Sequence, residues 1–144
     1  MSARLITGKR KFDHITPVLC ELHWLPVKER IEYKLSSLIY KCMRDQALKY
    51  LKDFCIPVST ISGCQRLRSA AVGKLHVPQS TTNMEKRSFG VSGPTIWNNL
   101  PDSLRDSQLS LQSFQKKLKT VLFDKAYNDT HSATVANCIK QRSK

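Results

Sequence analysis

Apolar residues recur most regularly over 26–45. Val27, Ile31, Leu35, Leu38, Ile39, Cys42 and Met43 return at three- and four-residue steps, an almost complete helical face. Lys28, Glu32, Lys34, Lys41 and Arg44 fall mainly elsewhere, and Glu29, Tyr33 and Tyr40 lie at the borders. The pattern predicts the longest helix of the chain, with Pro26 in its first turn, where a missing N–H costs nothing. A second long pattern predicts a helix over 111–127: Leu111, Phe114, Leu118, Val121 and Leu122 share a face, Lys116, Lys117, Lys119 and Lys125 lie largely off it, and Ser110 is placed to cap it. Three shorter helices are expected. One spans about 14–22, with Ile15, Val18, Leu19 and Leu22 as its stripe and Asp13 as N-cap, although Thr16 before Pro17 competes for that role. The second, about 47–54, packs back on the long helix and ends before Pro57. The third, about 94–100, starts from Ser92 and stops at Pro101, which can open a further turn.

Between these helices the pattern changes. Residues 57–65 read as loop, and short β signals follow near 66–69, 74–77 (closed by Pro78) and 87–91. Each is too short to stand alone, so together they suggest a small hairpin or sheet lying on the helices. The expected fold class is mainly α with a small β element (α+β). Ala3-Arg4-Leu5-Ile6 before Thr7-Gly8 reads as a last helical turn with a glycine cap, so 1–11 is expected to be the remnant of a preceding helix and a basic loop. The small, polar stretch 128–144 is expected to be a disordered tail. Trp24 and Trp97, each near leucine and proline at a helix junction, read as packing anchors; Asp13, Pro26 and Pro101 set the elements around them.

Composition sharpens this picture in two ways. The 144 residues suit one domain with a modest core, since 40% are apolar. The formal charge is +13, from 24 Lys+Arg against 11 Asp+Glu, a field that favours polyanions such as RNA, DNA or an acidic membrane surface. The plainer reading is a basic surface that merely solvates the protein. Cys20, Cys42, Cys55, Cys64 and Cys138 are odd in number and lack Cys-x-x-Cys spacing, and the N-terminus has no signal-peptide core. Free thiols in a reducing, intracellular compartment, cytoplasmic or nuclear, are expected. No apolar run reaches membrane-span length.

A catalytic constellation is not legible. The His and Cys residues have no paired ligand spacing, so no metal site is expected. Cys20 and His23 stand three apart on a possible helix, but a buried Cys beside a helix-end His is the commoner meaning of that spacing. The carboxylates are scattered, whereas two-metal phosphoryl transfer needs them clustered. The five glycines form no phosphate loop. No enzyme activity, cofactor or small-molecule substrate is expected. Binding fits better. Lys9-Arg10-Lys11 adjoins Phe12, Arg66 and Arg68 alternate, and Lys86-Arg87 precedes Phe89. Cations interleaved with aromatics suit a single strand, which offers phosphates and stackable bases. The alternative is that Phe12 and Phe89 belong to the core.

A set of short words then lines up in order: Ala3-Arg4-Leu5-Ile6-Thr7-Gly8, Lys11-Phe12-Asp13-His14-Ile15-Thr16-Pro17-Val18-Leu19, Leu22-His23-Trp24-Leu25-Pro26-Val27, Leu67-Arg68-Ser69, Arg87-Ser88-Phe89 and Pro94-Thr95-Ile96-Trp97-Asn98-Asn99-Leu100-Pro101, closing with Leu122-Phe123. In this order, over about 3–127, they resemble the C-terminal segment of the reverse-transcriptase polyprotein of non-LTR (LINE-type, jockey-like) retrotransposons. The chain departs from that pattern at Glu85-Lys86, where the family usually has glycine before the Arg-x-Phe word, and in a longer 57–65 linker. The resemblance implies that 12–127 is a module lying after a polymerase palm and thumb, which this chain lacks together with the endonuclease. No catalytic residue carries over. It implies a grip on template RNA or target DNA, or bracing of the absent palm and thumb as a partner. The charge pattern supplies Lys9, Arg10, Lys11, Arg66, Arg68, Lys86 and Arg87 as the candidates for non-specific contact, and no membrane is expected as a partner. The alternatives are a packing module for that polymerase, or an orphan element fragment without selected function.

Overall fold

The computed structural model describes residues 2–8, 10, 12–105 and 108–128. Among them are eight α-helices: α1 (Ser2–Thr7), α2 (Thr16–Glu21), α3 (Val27–Met43), α4 (Lys49–Lys52), α5 (Arg68–Ala71), α6 (Asn83–Arg87), α7 (Phe89–Asn98) and α8 (Leu111–Asn128). Single 3-10 turns lie at Val58–Thr60 and Asp102–Leu104. The mainly α expectation holds. Of the tail expected to be disordered, 129–144 lie outside the described residues, as do Lys9 and Lys11. The chain divides into two compact units, Met1–Ile31 with Leu118–Lys144, and Glu32–Lys117.

In the first unit α1 ends at Gly8, whose φ of +63° suits the residue without a Cβ. The Arg4 guanidinium donates to the carbonyls of Arg10 (2.6 Å) and Asp13 (3.1 Å), tying α1 to the loop before α2. Asp13 does not cap α2. Ile15 occupies the N-cap position and makes no side-chain cap, with Pro17 just inside the helix. The Asp13 carboxylate instead accepts the Arg10 N–H at 2.8 Å, closing the loop upstream. Past α2 the chain turns sharply. His23 takes φ +53°, which side chains rarely adopt, and the Trp24 N–H reaches back to the Leu19 carbonyl at 2.8 Å. The Tyr127 hydroxyl donates to the Trp24 carbonyl at 2.7 Å, so α8 holds this corner at the Trp24 backbone. Cys20 and Tyr127 are buried together, with Leu19, Phe123 and Ala126 packed around them. The Phe123 ring touches both His23 and Tyr127, with centroids 4.8 and 4.5 Å away.

The second unit is built on Phe114. Its ring stacks on Tyr40 (4.4 Å between centroids) and lies 5.9 Å from Trp97. Ile39, Cys42, Cys55, Leu75, Leu100 and Leu104 are buried in this unit as well. The buried stripe of α3 is rotated from the expected one. Ser36, Ser37, Ile39, Tyr40 and Cys42 are covered, whereas Val27 is 71% and Ile31 53% exposed. Tyr40 reaches the interior because it has two partners there: the Phe114 ring and the Leu109 carbonyl, to which its hydroxyl donates. Ser110 caps α8 as expected, its hydroxyl accepting the Ser113 N–H at 3.3 Å.

The β element is corrected. No strand forms among the described residues; one isolated antiparallel bridge, Pro57 to Leu75, is all that the β signals produce. The 74–77 signal is answered in part. Leu75 is flanked by backbone bonds from Val58 N–H to the Lys74 carbonyl (3.0 Å) and from His76 N–H to the Ile56 carbonyl (2.8 Å). Its other edge is met by the Asn98 side chain, which accepts from Leu75 N–H and donates to its carbonyl, both at 2.8 Å. An amide thus stands where a second strand would pair. The 66–69 signal enters α5, and 87–91 spans the end of α6 and the start of α7. Thr82 and Glu85 explain the latter: they form a capping box, the Thr82 hydroxyl accepting Glu85 N–H and the Glu85 carboxylate accepting Thr82 N–H. α7 consequently starts before the expected Ser92, and Pro94 lies inside it. The Ser92 hydroxyl bonds back to the Ser88 carbonyl at 2.8 Å instead of capping.

Candidate nucleic-acid interface

Four of the seven cations singled out in the sequence belong to the second unit, and all four are exposed. Arg66 lies in the turn leading to α5, and Arg68 is the first residue of that helix, which packs on the 3-10 turn Val58–Thr60. The expected strand alternation does not operate there, so their side chains do not share a strand face. Lys86 and Arg87 are the last two residues of α6, which packs on α7. Cations in a last turn sit favourably against the helix C-terminus. The pairs 66/68 and 86/87 therefore stand on separate elements. None of the four makes an ion pair with a described residue. Arg10, in the first unit, is exposed as well, and its backbone is occupied on both sides, by Arg4 and by Asp13.

Other cations are committed within the fold. Lys52 pairs with Asp45, which holds its ammonium above the usual lysine range. Arg105 carries a side chain only 3% exposed, and its guanidinium donates to the carbonyls of Val72 (3.1 Å), Asn98 (2.9 Å) and Leu100 (2.6 Å), with Asp102 as counter-ion. Sequence reading overlooked Arg105, because nothing in its immediate neighbours signals that three carbonyls converge on it. Near Lys86, Glu85 offers the one nearby carboxylate on α6. Backbone N–H groups of Thr82 and Thr81 hold its pKa below the usual glutamate value, so it stays ionised and occupied with the helix start.

The aromatics that adjoin the cations differ. Phe12 is 93% exposed rather than part of the core. Phe89 is half-buried, in edge contact with Phe54 at 6.3 Å between centroids. The structural anchors divide similarly. Trp97 is buried, its indole N–H donating to the Gly73 carbonyl at 3.1 Å. Trp24 is half-buried, Pro26 supplies the carbonyl for the first bond of α3 (Arg30 N–H, 2.9 Å), and Pro101 precedes the turn Asp102–Leu104. Among the described residues no group of three or more His, Cys, Asp or Glu converges as metal ligands. No described helix is long and apolar enough to cross a membrane. The His23 backbone N–H donates to the Cys20 carbonyl at 3.0 Å, and the His23 Nδ1 lies 3.1 Å from the same oxygen. Comparison with family models, curated proteins and solved structures finds no match.

Proposed function

We propose that this chain is a non-catalytic accessory module that grips single-stranded RNA or DNA through its backbone phosphates, related to the C-terminal segment of non-LTR retrotransposon reverse transcriptases. The observation that carries the reading is the set Arg66, Arg68, Lys86 and Arg87: exposed, unpaired among the described residues, in a chain of charge +13. Exposed cations without carboxylate partners bind phosphate without first breaking an ion pair, and such contacts carry little sequence preference.

The test is a fluorescence-anisotropy titration with mixed-sequence single-stranded RNA at several salt concentrations. Four phosphate contacts give a slope of about −3 in log K against log salt, so a fourfold rise in salt weakens binding roughly 50-fold. Reversing Lys86→Glu and Arg87→Glu together flattens that slope by about 1.4. Affinity that does not change with salt, or does not change with either pair reversed, refutes the reading.

A second reading has its own observation. Phe12, Leu5, Met84 and Val27 are 93%, 84%, 80% and 71% exposed. Apolar side chains left so open suit a module that packs on another protein. Strong binding of a hydrophobic dye, with no RNA binding, decides for packing.

A further inference from the structure

Cys42 and Cys55 flank the corner between α3 and α4. Cys42 is the last residue but one of α3, and Cys55 lies three residues past the end of α4. Both are buried, at 1% and 4% exposure, and both are free thiols. The corner they flank is closed by the Asp45–Lys52 ion pair, and each thiol lies near enough to the other to act on its ionisation. Cys55 is also fixed by its backbone, its N–H donating to the Lys52 carbonyl at 2.8 Å. The two thiols differ in access. Cys55 lines an open groove of about 670 Å³ whose wall also includes Asp45, Lys49, Lys52 and Thr60, whereas Cys42 does not line it.

We propose that Cys42 and Cys55 are a reversible oxidation site, closed to a disulfide by a small hydroperoxide that enters the groove at Cys55. The Cys55 sulfur attacks the distal peroxide oxygen. The O–O bond breaks, the thiol proton goes to the leaving oxygen, and a sulfenic acid and water (or an alcohol) result. The Cys42 sulfur then displaces hydroxide from that sulfenic sulfur. Its own proton neutralises the hydroxide as a second water, and the S–S bond forms. Two thiols lose two electrons and the peroxide gains them.

The surroundings set the pace of this chemistry. Burial raises the Cys42 thiol, and burial together with its neighbour Cys42 pushes the Cys55 thiol up to about 12. Both stay protonated at rest, so oxidation is slow and needs sustained peroxide. Once formed, the bond closes the segment 42–55. That segment includes the α3–α4 corner and the Asp45–Lys52 ion pair. A cross-link over a loop of this length restricts the unfolded chain far more than the folded one.

The experiment uses the full chain, treated with hydrogen peroxide under native conditions, alkylated, and read by intact mass and by peptide mapping. The expected product has lost two hydrogens, carries a Cys42–Cys55 cross-link, reverts with dithiothreitol, and melts about 5 °C or more above the reduced form. The triple variant Cys20→Ser, Cys64→Ser, Cys138→Ser leaves only this pair and should give the same product. If that variant does not fold, mapping of the wild-type chain decides alone. Oxygen addition at Cys55 without cross-linking, a cross-link that joins other cysteines in native protein, or an oxidised form that melts lower overturns the proposal.

Discussion

Replacing Arg105 with alanine should be among the most damaging single changes in the second unit. The wild-type guanidinium satisfies the carbonyls of Val72, Asn98 and Leu100, which come from the segment after α5, the end of α7 and the residue before Pro101. Alanine leaves these acceptors without their donor where the side chain is only 3% exposed. At about 1 kcal/mol for each orphaned carbonyl, the loss is about 3 kcal/mol. The ion pair adds little, because Asp102 is 76% exposed and an exposed partner is well solvated without it. Asp102→Asn should therefore cost less than about 1 kcal/mol. Arg105→Lys keeps the charge but loses the planar fork, and should recover no more than about 1 kcal/mol of the deficit. Urea denaturation followed by circular dichroism measures all three. With a slope on the order of 2 kcal/mol per molar, the alanine variant's midpoint falls by about 1.5 M. An alanine variant within about 1 kcal/mol of wild type, or an asparagine variant as damaged as the alanine one, would show that the carbonyl cluster is not what Arg105 supports.

Two more outcomes follow from single contacts. Trp97→Phe removes the donor to the Gly73 carbonyl while keeping most of the buried ring, and should cost about 1–2 kcal/mol, against about 3–5 kcal/mol for Trp97→Ala; equal losses in urea melts would deny the hydrogen bond a role. Tyr127 is held neutral by burial, its pKa pushed from near 10 up to about 12. Above pH 10 the unfolded chain has released this proton and the folded chain has not, so the contribution is full below pH 10 and is lost as pH rises towards 12. Thermal melts should show alkaline destabilisation in that window, reduced in Tyr127→Phe, and tyrosinate absorbance should show one residue titrating late.

The long amphipathic patterns were legible because a helix's period is written in its own residues. The helices expected over 26–45 and 111–127 appear as α3 and α8, and Ser110 caps α8 because a cap and its partner lie within one turn. Gly8 likewise ends α1 as expected. The Thr82–Glu85 capping box that opens α6 is equally local, although the sequence expectation next to it is the β signal at 87–91. What no local pattern held is pairing at a distance. Leu75 could have paired with a strand, but the Asn98 side chain, 23 residues on, takes its free edge. Tyr40 looked like a border residue until Phe114 and the Leu109 carbonyl met it from the far end of the chain. The charge that motivates nucleic-acid binding was visible from composition, and so was each cation's position. Which cations are free was not. Arg105 and Lys52 are committed to internal partners, whereas Arg66, Arg68, Lys86 and Arg87 are left exposed. The sequence alone determined the helical periods and the sign of the field, because both are sums over neighbouring residues. Tertiary structure decided which face each helix buries and which charges remain for a partner, because those depend on contacts between residues far apart in the chain.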